Sequence, residues 1–199
     1  GYDYFPYEVG QYRVYQTHVI NYNIDGSVDS ADYQIKEIVV DKGLVEDDTT
    51  FRLERYKRVN ESDAWVKDSV WSARINTYTA IVVEHNVPII KLSFPVEENR
   101  KWDGNAMNTR DYDEYKMINV NQSYQLEGDE FFQTLEVYRG DSLDPEKIVE
   151  DDYHVEVFSR GVGLIHKKDI KLQYDYKHPG DTVEGIVFEQ NLIETGEEL

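Results

Sequence analysis

The amino-acid sequence predicts a mainly β protein: a single curved antiparallel sheet or open barrel with little helix. Three observations carry this. Apolar and polar residues alternate in run after run, the period of a pleated strand. Turn signals such as Asp25-Gly26 and Glu127-Gly128-Asp129 separate the runs at short spacing. Tyr is the dominant aromatic, with 16 copies, and Tyr and β-branched residues suit a half-buried pleated surface. No fixed-period repeat is visible, which disfavours a propeller or solenoid. No linker divides the 199 residues, so 1–199 reads as one β domain, with 176–199 as a loosely ordered acidic tail.

The first strand covers 12–20. Tyr12, Val14, Gln16, His18 and Ile20 share one face, and Tyr15, Thr17 and Val19 the other. After Asp25-Gly26 a second strand places Tyr33, Ile35 and Glu37 opposite Gln34, Lys36 and Ile38, and Asp41-Lys42-Gly43 is expected to break it. In the third, 51–59, Phe51, Leu53, Arg55 and Lys57 take one side, and Arg52, Glu54, Tyr56 and Arg58 the other. A turn at 60–63 leads to a fourth strand over 64–75, anchored by Trp65, Trp71 and Ile75. Strands follow over 78–84 and 89–94, the second ended by Pro95.

The stretch 96–111 is less regular. Glu97, Glu98, Lys101 and Trp102 fit a helical turn, stopped by Asp103-Gly104-Asn105. Alternation resumes over 112–120, and 123–126 with 131–138 forms a hairpin about Gly128. A polar loop at 141–146 and a helical turn over 147–152 lead to two last strands, 153–159 and 163–172.

The formal net charge is −19. Such a surface repels phosphate backbones and anionic membranes, so no nucleic-acid partner is expected. The simplest reading of the acidity is solubility. The absence of cysteine excludes disulfides, thiolate metal sites and Cys nucleophiles. No apolar run reaches the roughly 18 residues of a membrane-spanning helix. The chain opens at Gly1 without Met or a leader, which predicts trimming of any targeting segment.

Chemistry-bearing motifs are sparse. Five histidines are scattered, without H-E-x-x-H spacing. His154 and His166 flank the 161–163 turn and could neighbour each other, but a zinc site wants more ligands. Residues 23–29 alternate oxygen-bearing side chains, yet Gly26 is fourth where a calcium loop needs it sixth, so a hairpin turn is the better reading. Gly161-Val162-Gly163 is not followed by a helix, so these glycines serve a bulge or close backbone approach rather than phosphate. No G-x-S-x-G elbow occurs. No catalytic residue, metal site or cofactor is therefore expected.

Four segments nonetheless resemble a largely uncharacterised group of Bacteroidetes envelope lipoproteins. They are YFPYEVGQYRVYQ at 4–16, DAWVKDSVWSAR at 63–74, KLSFPVEENRKWDGNA at 91–106 and FSRGVGLIHKK at 158–168. Their order is shared, and the likeness covers about 2–175. Arg13 departs from the group's usual aromatic, and Asn99 or Arg100 from a usual Gly. The resemblance implies a β fold and an outer-envelope location with a lipid anchor on a Cys upstream of Gly1, and no activity.

The leading expectation is a non-enzymatic envelope lipoprotein that binds a ligand, a glycan or apolar molecule, or a protein partner. An exposed polar and aromatic set, Arg52, Tyr56, Arg58, Trp65 and Trp71, is the candidate ligand-binding surface, since Trp and Tyr offer flat apolar faces with a polar edge. The alternatives are an assembly accessory acting by protein contact, and a polysaccharide hydrolase using paired carboxylates, one with a raised pKa.

Overall fold

Twelve antiparallel strands form one sheet in a computed structural model that describes residues 1–46, 48–139, 150–178 and 180–198. The strands are β1 (Gln11–Tyr22), β2 (Val28–Val45), β3 (Asp48–Arg58), β4 (Val66–Ile75), β5 (Thr79–Glu84) and β6 (Val87–Ser93). They continue as β7 (Lys101–Asp103), β8 (Glu114–Leu126), β9 (Asp129–Arg139), β10 (Glu150–Ser159), β11 (Gly163–Tyr174) and β12 (Thr182–Glu197). One 3-10 turn, Tyr2–Tyr4, precedes them.

The order across the sheet is β6-β5-β4-β3-β2-β1-β12-β11-β10-β9-β8-β7. The first and last strands therefore meet in the middle, Gln11 opposite Glu197 and Tyr22 opposite Gly185. The sheet curls almost into a barrel, with one unsealed seam where edges β6 and β7 face each other. Side chains and one backbone bond bridge the seam. Ile90 N–H donates to Gly104 O at 3.0 Å, and Trp102 Nε1 donates to Ile90 O at 2.9 Å. Arg100 Nη2 donates to Phe94 O at 2.7 Å and Asn108 Nδ2 to Pro88 O at 2.8 Å. These partners satisfy edge groups that would otherwise recruit another chain.

The interior is divided along its length. At one end apolar side chains fill it: Val39, Phe51, Leu53, Leu92, Met117 and Leu135 are all buried. The N-terminal segment closes that end. Tyr4 is fully buried in this core, and Gly161 N–H donates to Asp3 O at 2.7 Å. Farther along the same strands the inward positions become charged or aromatic. A second apolar cluster lies apart from the first. Leu126, Tyr124 and Phe131, near the β8–β9 turn, pack on Val155, Val157 and Ile165 of β10 and β11. Positive φ angles at Asn119, Asn121 and Gln133 bend that hairpin, and Asn tolerates this conformation better than most residues.

Several sequence expectations are corrected here. The stretch 41–43 does not end the second strand; β2 runs on to Val45 through a register shift between Val39 and Asp41, because a bulge absorbs the extra residue. Residues 101–103 form edge strand β7 rather than part of a helical turn, since pairing with β8 satisfies their backbone. Residues 150–152 likewise belong to β10; the rest of that expected turn, and the 141–146 loop, lie outside the described residues. The acidic tail is β12 over 182–197, hydrogen-bonded to β1 and β11 on its two sides. Pairing on both sides satisfies its backbone and orders it despite the acidic composition.

Candidate functional site

The charged half of the interior holds a cavity of ≈ 380 Å³. The parity of each strand decides what lines it. On β3, Phe51 and Leu53 point into the core, so the residues two and four places on, Arg55 and Lys57, point into the cavity. The same step leads from Val39 to Glu37, Ile35 and Tyr33 on β2, and from Val82 to Glu84 on β5. Phe5, Pro6 and Tyr7 form the floor. Lys57, Asp68 and His85, beside the β3–β4 and β5–β6 connections, line the far end. His85 and Asn86 make the two-residue β5–β6 turn, both at positive φ.

Five cationic side chains (Arg13, Arg55, Lys57, Lys91, Lys167) and five acidic ones (Glu37, Asp68, Glu84, Glu156, Asp169) line this space. The cavity is thus balanced in charge inside a protein of net charge −19. Most of these groups are paired. Lys91 Nζ lies 2.8 Å from Glu84 Oε1 and 2.6 Å from Glu156 Oε1, crossing the interior from β6 to β10. Lys167 sits 3.3 Å from Asp169 and 3.7 Å from Glu156. Asp169 Oδ1 is 2.6 Å from His154 Nδ1, whose Nε2 is 2.5 Å from Asp152.

Burial pushes the Glu84 carboxyl up, but Lys91 and Lys167 outweigh it and hold it down at about 2. Burial pushes Lys91 down, and Glu156 and Glu84 reverse this, keeping the ammonium well above the usual lysine range. Asp169 is likewise lowered: the His154 hydrogen bond and Lys167 overcome its burial. These shifts follow from opposite charges at short range in a poorly hydrated space.

Arg13 is held differently. Its Nε donates to Val162 O at 2.6 Å and its Nη2 to Pro6 O at 2.5 Å, joining the N-terminal segment to the β10–β11 turn. A Cβ on Gly163 would lie 3.1 Å from this guanidinium, and the residue's φ is +91°. Gly is required there for close approach and for the left-handed backbone. That is the role its sequence context suggested.

Not every polar atom in the wall has a partner. Trp71 Nε1, Arg55 Nε and Glu156 Oε2 are buried without a hydrogen bond. Glu37 Oε2 is 3.7 Å from Arg55 Nε, within ion-pair range but too far for a hydrogen bond. The Arg55 guanidinium stacks on the Trp71 ring, 3.7 Å from its centroid, and the Lys57 ammonium lies 3.6 Å from the centroid of Tyr33.

Of the five residues singled out in the sequence, four lie outside the cavity. Arg52, Tyr56 and Arg58 share the outward face of β3, and Arg58 stacks on Trp65, 4.2 Å from its ring centroid. Tyr56 donates to Glu54, which also binds Lys67 and Arg52. Trp71 alone lines the cavity. Arg55 and Lys57, which the sequence places on the Phe51–Leu53 side of the third strand but outside the candidate set, line the cavity, as does Lys91. His154 and His166 do not meet: His154 binds carboxylates, while His166 Nδ1–H donates to Asn191 Oδ1 and the ring stacks on Tyr124. In the 23–29 turn, Asp25 Oδ1 accepts from Ser27 N–H and Oγ–H, the bonding of a hairpin turn.

No protein-family model and no curated protein matches the chain. Two solved structures resemble it. One is a presumed exported protein with a YmcC-like fold from Bacteroides fragilis: TM-score 0.52, 10% identity, covering 96% of this chain and 98% of that one. The other is a presumed lipoprotein from Parabacteroides distasonis: TM-score 0.49, 13% identity, covering 97% and 98%. The first shares the fold with this chain.

Proposed function

We propose that this protein is a non-enzymatic binding protein of the cell envelope that holds a small ligand inside its barrel. The carrying observation is the ≈ 380 Å³ cavity, whose wall keeps buried polar atoms at Trp71, Arg55 and Glu156 without partners. Unpaired buried polar atoms are costly, so they mark places where a ligand completes the bonding. The size falls in the range of small-molecule sites. An envelope setting, with a lipid anchor upstream, is supported by the four sequence segments. The Bacteroides fragilis protein of like fold carries the name of an exported protein, in agreement with this setting.

A hydrolase is the weaker reading. Glu84 and Glu156 share Lys91, and Glu84 is held far below the range of a general acid. An accessory acting only by protein contact would not need a charged cavity.

Tryptophan fluorescence and thermal shift against a panel of glycans, lipids and small organic acids test this. Saturable binding is expected, lost in an Ile35→Trp variant that fills the cavity while folding normally. A panel without one binder, or binding that Ile35→Trp leaves intact, would remove the cavity as the site.

A further inference from the structure

Resting on that reading, we infer that the ligand is an apolar carboxylate, its acid group held by the β3–β4 wall of the cavity. Three donors line that wall. Arg55 Nε and Trp71 Nε1 are buried and unbonded. Lys57 lines the same space and makes no ion pair among the described residues; its ammonium rests on the Tyr33 ring. Two of these groups are cationic, and a carboxylate is the acceptor-only group that such a set would satisfy.

Of the five acids of the cavity, four are ion-paired with cations, and the fifth, Asp68 on β4, accepts from Ser69 Oγ–H at 2.8 Å. Glu84 and Glu156 are engaged by Lys91, and Asp169 by Lys167 and His154. The unbonded Glu156 Oε2 lies on β10, where its charge is compensated by Lys91 and Lys167. Glu37 ion-pairs with Arg55 at 3.7 Å, too far to accept a hydrogen bond, so the Nε–H stays open as a donor. The remainder of the lining suits an apolar body: Phe5, Ile35, Phe158, Leu164 and Phe188. A neutral sugar would leave the Lys57 ammonium without an ion pair.

Calorimetry with decanoate and with decanol separates the acid group from the tail. Decanoate should bind the wild-type protein at least tenfold more tightly than decanol, the scale of one charge-assisted hydrogen bond. Lys57→Met and Trp71→Phe should each weaken decanoate and leave decanol unchanged, with circular dichroism confirming the fold. Equal affinity for both probes, or unchanged decanoate binding in both variants, overturns the acid assignment while the cavity stands. Binding of a glycan from the panel with no response to decanoate also overturns it. Silence from every probe removes the cavity reading as well.

Discussion

Lys91 is the residue on which the polar interior depends. It is 7% exposed and bridges carboxylates from β5 and β10. Replacing it with Met would leave Glu84 and Glu156 facing each other without their shared cation. A loss of roughly 3–5 kcal/mol is expected, as for breaking a buried pair from one side, and urea denaturation measures it. Acid acts on the same group. Because the folded Glu84 carboxyl sits at about 2 against an ordinary 4.5, its contribution is complete above about pH 4.5 and is lost as pH falls toward 2. The linkage amounts to about 3 kcal/mol. Wild-type stability should therefore fall across that window, and Glu84→Gln should show a shallower slope. Parallel slopes would mean that Lys91 does not hold this charge in solution.

At the scale of elements, the seam is where local change has a local effect. Trp102→Phe keeps a ring beside Tyr115 but removes the donor to Ile90 O. A cost of about 1 kcal/mol is expected. Amide exchange should quicken at Ile90, whose N–H crosses the seam to Gly104, and stay unchanged along β1 and β12. Uniform quickening would show the seam to be coupled to the whole sheet. Much of this architecture was legible from alternation. The β3 faces, the turn at Gly26 and the hairpin about Gly128 stand where the sequence put them. What escaped were features set by pairing. Nothing local marks 101–103 as a strand; the facing β8 makes it one. Nor does any local signal join β12 to β1. The site escaped for a different reason: the sequence puts Arg55 and Lys57 on the Phe51–Leu53 side of the third strand, but the binding surface was expected on the opposite face, with Arg52, Tyr56 and Arg58.

For the whole molecule, the strand order has one governing property. Each pairing but one joins strands that are neighbours in sequence, and the exceptional pairing, β1 with β12, joins residues at opposite ends of the chain. Contacts of such separation slow folding, because the ring is completed only after the last strand has been made. Meanwhile the 94–100 segment ties β6 to β7, so the unsealed edges cannot drift apart by more than that connection permits. The circle is therefore covalent at the seam and hydrogen-bonded at the chain ends.

That arrangement sets how the protein would respond to load. Gln11 and Glu197 face each other as the outermost rung of the β1–β12 ladder, and Glu198 N–H donates to Gly10 O just beyond it. Tension on the two chain ends would first pull Tyr4 and its neighbours from the barrel base. It would then part β1 from β12 one rung at a time, as a zip opens, rather than shearing all rungs together. Optical-tweezer traces should show rupture at low force, with the first opening on the β1–β12 line and the β6–β7 edge held by its covalent tether. The cavity would empty at that first step, since Arg13 and Gln190 belong to the two parting strands.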